Sequence, residues 1–119
     1  MFASLDILRM AQAFASHAAT RQQAIAENIA NADTPGYRAR DVVPFSEFWA
    51  AQHRPDQAPP PRPTDLVRPD PHEEGMAPNA NGVSLEHEMT RAASARQQYD
   101  MALGIYATAR DILRASIGR

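Results

Sequence analysis

The chain contains no cysteine, so disulfide staples and thiolate metal sites are excluded outright. It also has no run approaching the ~20 apolar residues that a membrane-spanning helix needs. The N-terminus lacks a basic flank and a continuous apolar core, because Asp6, Arg9 and Gln12 interrupt it, so a cleavable signal peptide is not expected. Taken alone, those absences point to a cytoplasmic chain. A net charge of −2 with no concentrated basic patch argues against nucleic acid, whose phosphates need a dense cationic surface. Catalytic signatures are missing as well: there is no nucleophile elbow, no glycine-rich phosphate loop and no convergent acid–base pair. His87-Glu88 opens a zinc-protease-like pattern, but the residue four after His87 is Arg91, so the second histidine is absent. His72-Glu73-Glu74 has no fixed third ligand nearby, and His17 and His53 stand in unlike contexts. No enzyme, metal, cofactor or small-molecule substrate is expected.

Proline is what the chain does have, and its placement divides the sequence. Eight of the ten prolines fall between Pro55 and Pro78, which removes that stretch from any regular packed core. Pro59-Pro60-Pro61-Arg62-Pro63 and Pro69-Asp70-Pro71 read as an extended, polyproline-like or disordered linker. The Pro60 to Pro63 spacing would also suit an SH3-like groove, though any proline-rich tract offers it. What remains foldable in 119 residues is two helical segments. Two helices bury only a narrow seam, too little to offset the conformational entropy comfortably, so the core is expected to be completed by neighbouring subunits.

The first helix is expected to start at Ser4 as N-cap, with Asp6 in the first turn where a carboxylate meets the positive end of the dipole. A 3-4 spacing then runs through Leu8, Ala11, Ala15, Ala18, Gln22, Ile25, Ile29 and Ala32, the seam of a helix built to pack lengthwise. Its alanines let helix axes approach closely. Phe2, Leu5, Ile7, Met10 and Phe14 spread apolar surface around more of the cylinder than one partner helix can cover. Asn31 can close the helix, and Pro35 biases Thr34 away from helix. Thr34-Pro35-Gly36-Tyr37 reads as a type II turn, with Pro setting φ and Gly supplying φ > 0, followed by a short extended run from Arg38 to Phe45. Asn28 shares a face with Asn31, and its amide can serve as a local cap or bond to a neighbouring chain. Phe45, Phe48 and Trp49 can anchor the linker's entry on a helical surface or simply pack locally.

The last helix is signalled by the Asn81-Gly82 turn, Ser84 as N-cap, and Glu86 and Glu88 in the first turns. A second 3-4 row runs through Met89, Ala92, Arg96, Tyr99, Leu103, Tyr106, Arg110, Leu113 and Ile117, widened by Ala95, Ala102, Ala109 and Ile112. Arg96 and Arg110 sit on that row, where they either reach solvent or pair with acids of an adjacent subunit. Tyr99 and Tyr106 suit a partly wet interface.

The run Asn28-Ile29-Ala30-Asn31-Ala32-Asp33-Thr34-Pro35-Gly36-Tyr37 resembles the N-terminal signature of the rod, hook and hook-associated proteins of the bacterial flagellar axis. Its continuation through Arg38-Ala39-Arg40-Asp41-Val42-Val43-Pro44-Phe45 is similar to the proximal rod members, and Val83-Ser84-Leu85-Glu86-His87-Glu88-Met89 with Tyr99 resembles their C-terminal segment. The resemblance implies an all-α subunit whose N- and C-terminal helices form an antiparallel coiled-coil-like pair and join those of neighbours in a helical tube. Residues 1–33 and 83–119 would then be axial helices, 34–49 a turn and extended segment, and 50–82 a Pro-rich flexible linker. Leu8, Ala11, Ala15, Ala18, Ile25, Asn28, Ile29 and Asn31 on one helix, with the Met89 to Ile117 row on the other, would supply the assembly surfaces. The implied role is mechanical: torque is carried through helices shared across many subunits. The implied partners are further copies of the chain, other rod proteins, the basal adaptor between membrane ring and rod, and the flagellar export gate. The implied location is the periplasmic part of the basal body, reached by type III export without signal cleavage. Two alternatives are another rod subunit and a non-flagellar helical adaptor that uses the proline tract as a spacer.

Overall fold

Twenty-nine residues rich in alanine and short of helix breakers form one unbroken helix, α1 (Phe2–Ala30), about 43 Å long. It is followed by β1 (Arg40–Val42), α2 (Phe45–Gln52), β2 (Val67–Pro69) and α3 (Leu85–Ile117). A computed structural model describes residues 2–52, 67–70 and 83–118; the Pro59 to Pro63 tract, His53, His72-Glu73-Glu74 and the Asn81-Gly82 turn lie outside the described residues. Among the described residues, no helix is long and apolar enough to cross a membrane.

The two long helices pack together in antiparallel sense. Asn28 meets Glu88, Arg21 meets Gln98, and Ile7 shares a groove with Ala109 and Ile112, so contacts climb one helix as they descend the other. The seam of α1 is Ala11, Ala18 and Ile25, with His17, Ala24 and Asn28 beside them, all buried. On α3 the packed face differs from the expected row. Ala95, Ala102 and Ala109 are buried, whereas Met89, Leu103 and Ile117 are 66%, 45% and 70% exposed. The axis therefore faces α1 with its smallest side chains, roughly one residue step around the cylinder from its most hydrophobic row. Alanine against alanine permits the close approach that long side chains would prop open.

The helix start also differs from expectation. α1 begins at Phe2, so Ser4 lies inside the first turn and not at the cap, and the first turn holds no acid. α3 begins as expected: Ser84 has extended backbone and its hydroxyl accepts from His87 N–H, with Glu86 and Glu88 in the first turn. Past Ala30 the α1 carbonyls are closed by tightened bonds, Asn31 N–H to Asn28 O at 3.2 Å and Ala32 N–H to Ile29 O at 3.2 Å, and by the Asn31 side-chain amide, which donates to Glu27 O at 2.8 Å. The turn is type II in character, with Tyr37 N–H on Thr34 O at 3.2 Å and Gly36 at φ +78°.

Between the helices the chain is more structured than a plain extended run leading into a linker. The run from Arg38 stops at Val43, and Pro44 turns it into α2 by accepting from Glu47 and Phe48 N–H. Phe45, Phe48 and Trp49 then stand on one helical face at 3-4 spacing. β2, in the middle of the proline-rich stretch, pairs antiparallel with β1 in the register Arg40↔Pro69, Asp41↔Arg68, Val42↔Val67. Asp70 N–H extends the ladder to Ala39 O at 3.0 Å. Pro69 is tolerated because it falls at a position that donates no ladder bond to β1.

Candidate functional site

The buried polar groups of the protein converge where α1 ends, and Asn28 is at their centre with 0% exposure. Its carboxamide faces the backbone of Arg40 edge to edge: Oδ1 accepts from Arg40 N–H at 3.0 Å and Nδ2 donates to Arg40 O at 2.8 Å. That is the pairing a neighbouring strand would offer, so one side chain substitutes for a strand along the second edge of β1. The remaining capacity is also used. Tyr37 Oη donates to Oδ1 at 3.0 Å, and Nδ2 donates to Glu88 Oε2 at 3.1 Å. Both ends of the Asn28 to Tyr37 signature are thereby joined. Burial raises the Tyr37 pKa, with Arg40 partly opposing it, and keeps the phenol a donor. These four bonds of Asn28 lie within the chain and make its side chain an internal fastener.

Arg91 ties α3 into the same cluster. Its guanidinium contacts Glu88 at 2.8 Å, Asp41 at 2.8 Å and Asp70 at 2.9 Å, and donates to Arg40 O at 3.3 Å. One planar fork thus holds α3, β1, the residue that follows β2 and a backbone carbonyl, a geometry that a lysine ammonium does not reproduce. Arg21 reaches Asp41 at 3.3 Å and Gln98 at 3.2 Å, and His87 lies 3.5 Å from Asp70. Arg91, Asp70 and Glu88 are almost fully buried, so removing one charge strands the others away from water. Asp41, Asp70 and Glu88 each lie within ion-pair distance of a guanidinium, the arrangement of a fastening between elements.

A second contact area docks α2 on α1. Phe14 and Phe45 meet edge to face at 4.9 Å, Phe45 stacks on Trp49 at 6.0 Å, and Phe48 is 1% exposed. His17 enters this cluster, 5.6 Å from Phe45, with Nε2 2.6 Å from Val43 O. Desolvation lowers its pKa, outweighing the opposing bond to Val43, so the ring is held neutral and Nε2–H is the donor.

The expected assembly residues fall into three groups. Ala11, Ala18, Ile25 and Asn28 are buried inside the hairpin; Leu8, Ala15, Asn31, Tyr99, Tyr106 and Leu113 are half-buried; Ile29, Met89, Arg96, Leu103, Arg110 and Ile117 are exposed. Arg96 and Arg110 reach solvent, where they lie 3.5 Å from Asp100 and 3.4 Å from Asp111. In the turn, Thr34, Pro35 and Gly36 are exposed and Tyr37 is half-buried. Sequence reasoning missed Arg91, Asp41, Asp70 and His17. The available signal was the Glu88 to Arg91 spacing of i,i+3, which puts both charges on the buried alanine face.

The family model described as flagella basal body rod protein matches residues 8–38, from the start of the α1 seam to just past Tyr37. Three curated relatives are each a flagellar basal body rod protein FlgB. That of Agrobacterium fabrum is 32% identical over 109 residues, covering 82% of this chain and 81% of its own length. That of Escherichia coli is 34% identical over 114 residues, covering 81% of each. That of Salmonella typhimurium is 32% identical over 116 residues, covering 82% and 83% respectively. The likeness therefore extends well beyond the signature turn, and the chain belongs to the FlgB family of flagellar basal body rod proteins.

Proposed function

We propose that this chain is a structural subunit of the proximal flagellar rod and that its helix pair is completed by neighbouring subunits. The observation that carries the reading is apolar surface left outside the hairpin: Met89, Leu103 and Ile117 on one flank of α3, Met101, Ile105 and Ile112 on the other. Such faces on a small chain mark contact surfaces. The axial segments are residues 1–33 and 83–119, and Tyr99, Tyr106, Arg96 and Arg110 contribute a partly wet rim, where the two arginines can exchange their exposed pairs with Asp100 and Asp111 for acids of an adjacent subunit. Its role is mechanical, with lengthwise helix burial shared among subunits resisting torsion; no catalytic step is assigned to it. Its partners are further copies, other rod proteins, the basal adaptor and the export gate, in the periplasmic part of the basal body after export without signal cleavage.

The test is circular dichroism and melting across concentration, paired with sedimentation. Helicity and melting temperature that rise with self-association, or with added rod proteins, support helices completed by assembly. A monomer that melts cooperatively at one temperature whatever its concentration, and that binds no rod protein, overturns it.

A further inference from the structure

The two flanks of α3 that the hairpin leaves uncovered are not alike. One carries large side chains at a seven-residue repeat, Met89, Leu103 and Ile117, with Arg96 and Arg110 at the intervening steps. The other faces a groove of about 560 Å³ walled by Ile7 of α1 and by Met101, Ile105 and Ile112. Along that groove Met101, Gly104, Ile105 and Thr108 stand at i, i+3, i+4 and i+7, and Ile105, Thr108, Ala109 and Ile112 repeat the pattern four residues on. Four residues so spaced outline the hole that receives one knob of a facing helix. Two consecutive holes therefore lie open on α3.

Gly104 is the corner of the first hole, and nothing within one chain calls for a glycine there. Its backbone is part of α3, and a Cβ built on it would meet nothing within 4 Å. The hairpin would accommodate alanine at this position, and the helix would gain from it, since glycine in a helix interior costs conformational entropy. What the bare backbone provides is room for a helix to approach from outside. The Thr108 hydroxyl donates to Gly104 O at 3.0 Å, so this side chain is satisfied without a polar partner in the groove.

Charge and spacing select the occupant. Asp100 and Asp111 lie at i−4 and i+7 from Gly104, on its face of the helix, and border the groove with two exposed carboxylates. On the opposite flank Arg96 and Arg110 stand one heptad either side of Leu103. The arginines are about 21 Å apart along the axis and the carboxylates about 16 Å, a difference that flexible arginine stems cover. Within one chain these four groups pair at 3.5 and 3.4 Å with every side chain more than half exposed, and such pairs exchange partners at little cost. The two holes are offset by four residues, which is also the separation of Tyr99 and Leu103.

We infer that the Gly104 groove receives the Leu103 flank of α3 from a second copy of this chain, with Leu103 and Tyr99 as knobs and Arg96 and Arg110 meeting the acids of the rim. Donor and acceptor are different surfaces of one helix, so each copy keeps one of each free and the contact propagates head to tail instead of closing into a symmetric pair. That contact deepens the reading of the chain as an assembling subunit, and rests on it.

Gly104→Ala separates the two demands on this position. The melting temperature of dilute chain should rise by roughly 2–8 °C, because the helix gains what glycine withholds. Self-association in sedimentation should weaken about fivefold or more, because the added methyl fills the hole. The occupant is tested by charge. Arg96→Asp with Arg110→Asp, and separately Asp100→Arg with Asp111→Arg, should each abolish self-association at low salt, since flank and rim then carry one sign. Mixing the two variants should restore it, with circular dichroism showing that each is helical when dilute. Gly104→Ala chain that associates as tightly as the unaltered chain overturns the docking groove, and a mixture that stays apart overturns the second copy as its occupant. In both cases concentration-dependent assembly of the unaltered chain still upholds the subunit reading. An unaltered chain that stays monomeric at every concentration overturns the inference, and its binding to rod proteins then decides the subunit reading separately.

Discussion

At one end of the hairpin, Asn28 and Arg91 gather α1, α3 and both strands into a cluster with almost no exposure; at the other, Ile7, Met101, Ile105 and Ile112 line an open apolar groove. The two ends share a backbone plan and an alanine seam, yet they differ in what satisfies them. The polar end is closed by directional bonds from within the chain. The apolar end is left exposed by the hairpin, and in the proposed assembly a neighbouring subunit would cover it, since non-directional burial needs only area. Specificity and adhesion are thus assigned to opposite ends of one helix pair.

The strongest way to break the comparison is to empty the polar end. Arg91→Met leaves Asp41, Asp70 and Glu88 facing one another with Arg21 as the remaining guanidinium and His87 beside Asp70. A loss of about 3–5 kcal/mol is expected in urea titration, as for other broken buried ion pairs. Arg91→Lys should recover only part of it, because one ammonium cannot span the fork. Equal stability of Arg91→Met and the unaltered chain would show that the cluster is held open to water.

Asn28→Asp comes next, at about 2–3 kcal/mol by thermal or urea melting. The new carboxylate keeps the acceptor for Tyr37 and Arg40 N–H but faces Arg40 O and Glu88 where a donor stood. Since shape hardly changes, a neutral result would remove the strand-substitute reading of this side chain.

These two residues show how the sequence divides into legible and hidden parts. The helix end, the type II turn and the Ser84 cap were readable because Pro35, Gly36 and Ser84 act on their immediate neighbours. The packed face of α3 was not, since two rows share the same 3-4 spacing. Hydropathy favours the row of Met89 and Leu103, whereas close approach favours Ala95, Ala102 and Ala109. Arg91 was hidden for a related reason: a charge on a helix reads as solvated until its partners from β1 and β2 are known. Asn28 needs Arg40 placed opposite it before its amide can be recognised as a strand edge. Short α2 and β2 depend on Pro44 and on pairing across the proline-rich stretch, which local propensity does not report.

A smaller, graded effect follows from His17, which sits beside the polar end but belongs to the aromatic cluster. Its folded pKa is lowered, so the unfolded chain binds the proton first as pH falls. The unfolded state then holds more protons than the native state, and stability declines from about pH 6.5, the unfolded value, downward to the lowered folded pKa. Melting temperature should fall between pH 7.5 and 5.5, and His17→Phe should flatten that slope. A slope unchanged by the substitution would show that His17 does not carry the acid sensitivity.

The smallest effect on the isolated chain is expected at the apolar end, and its smallness is the informative part. Ile112 is 55% exposed, so Ile112→Ser removes little area that the hairpin itself buries, and dilute chain should melt within about 0.5 kcal/mol of the original. If the groove is covered on association, the same substitution should weaken self-association or binding to rod proteins in sedimentation while leaving the monomer intact. Equal loss in both measurements would mean that Ile112 supports the fold of one chain, and the division between a self-satisfied end and an unfinished end would fail.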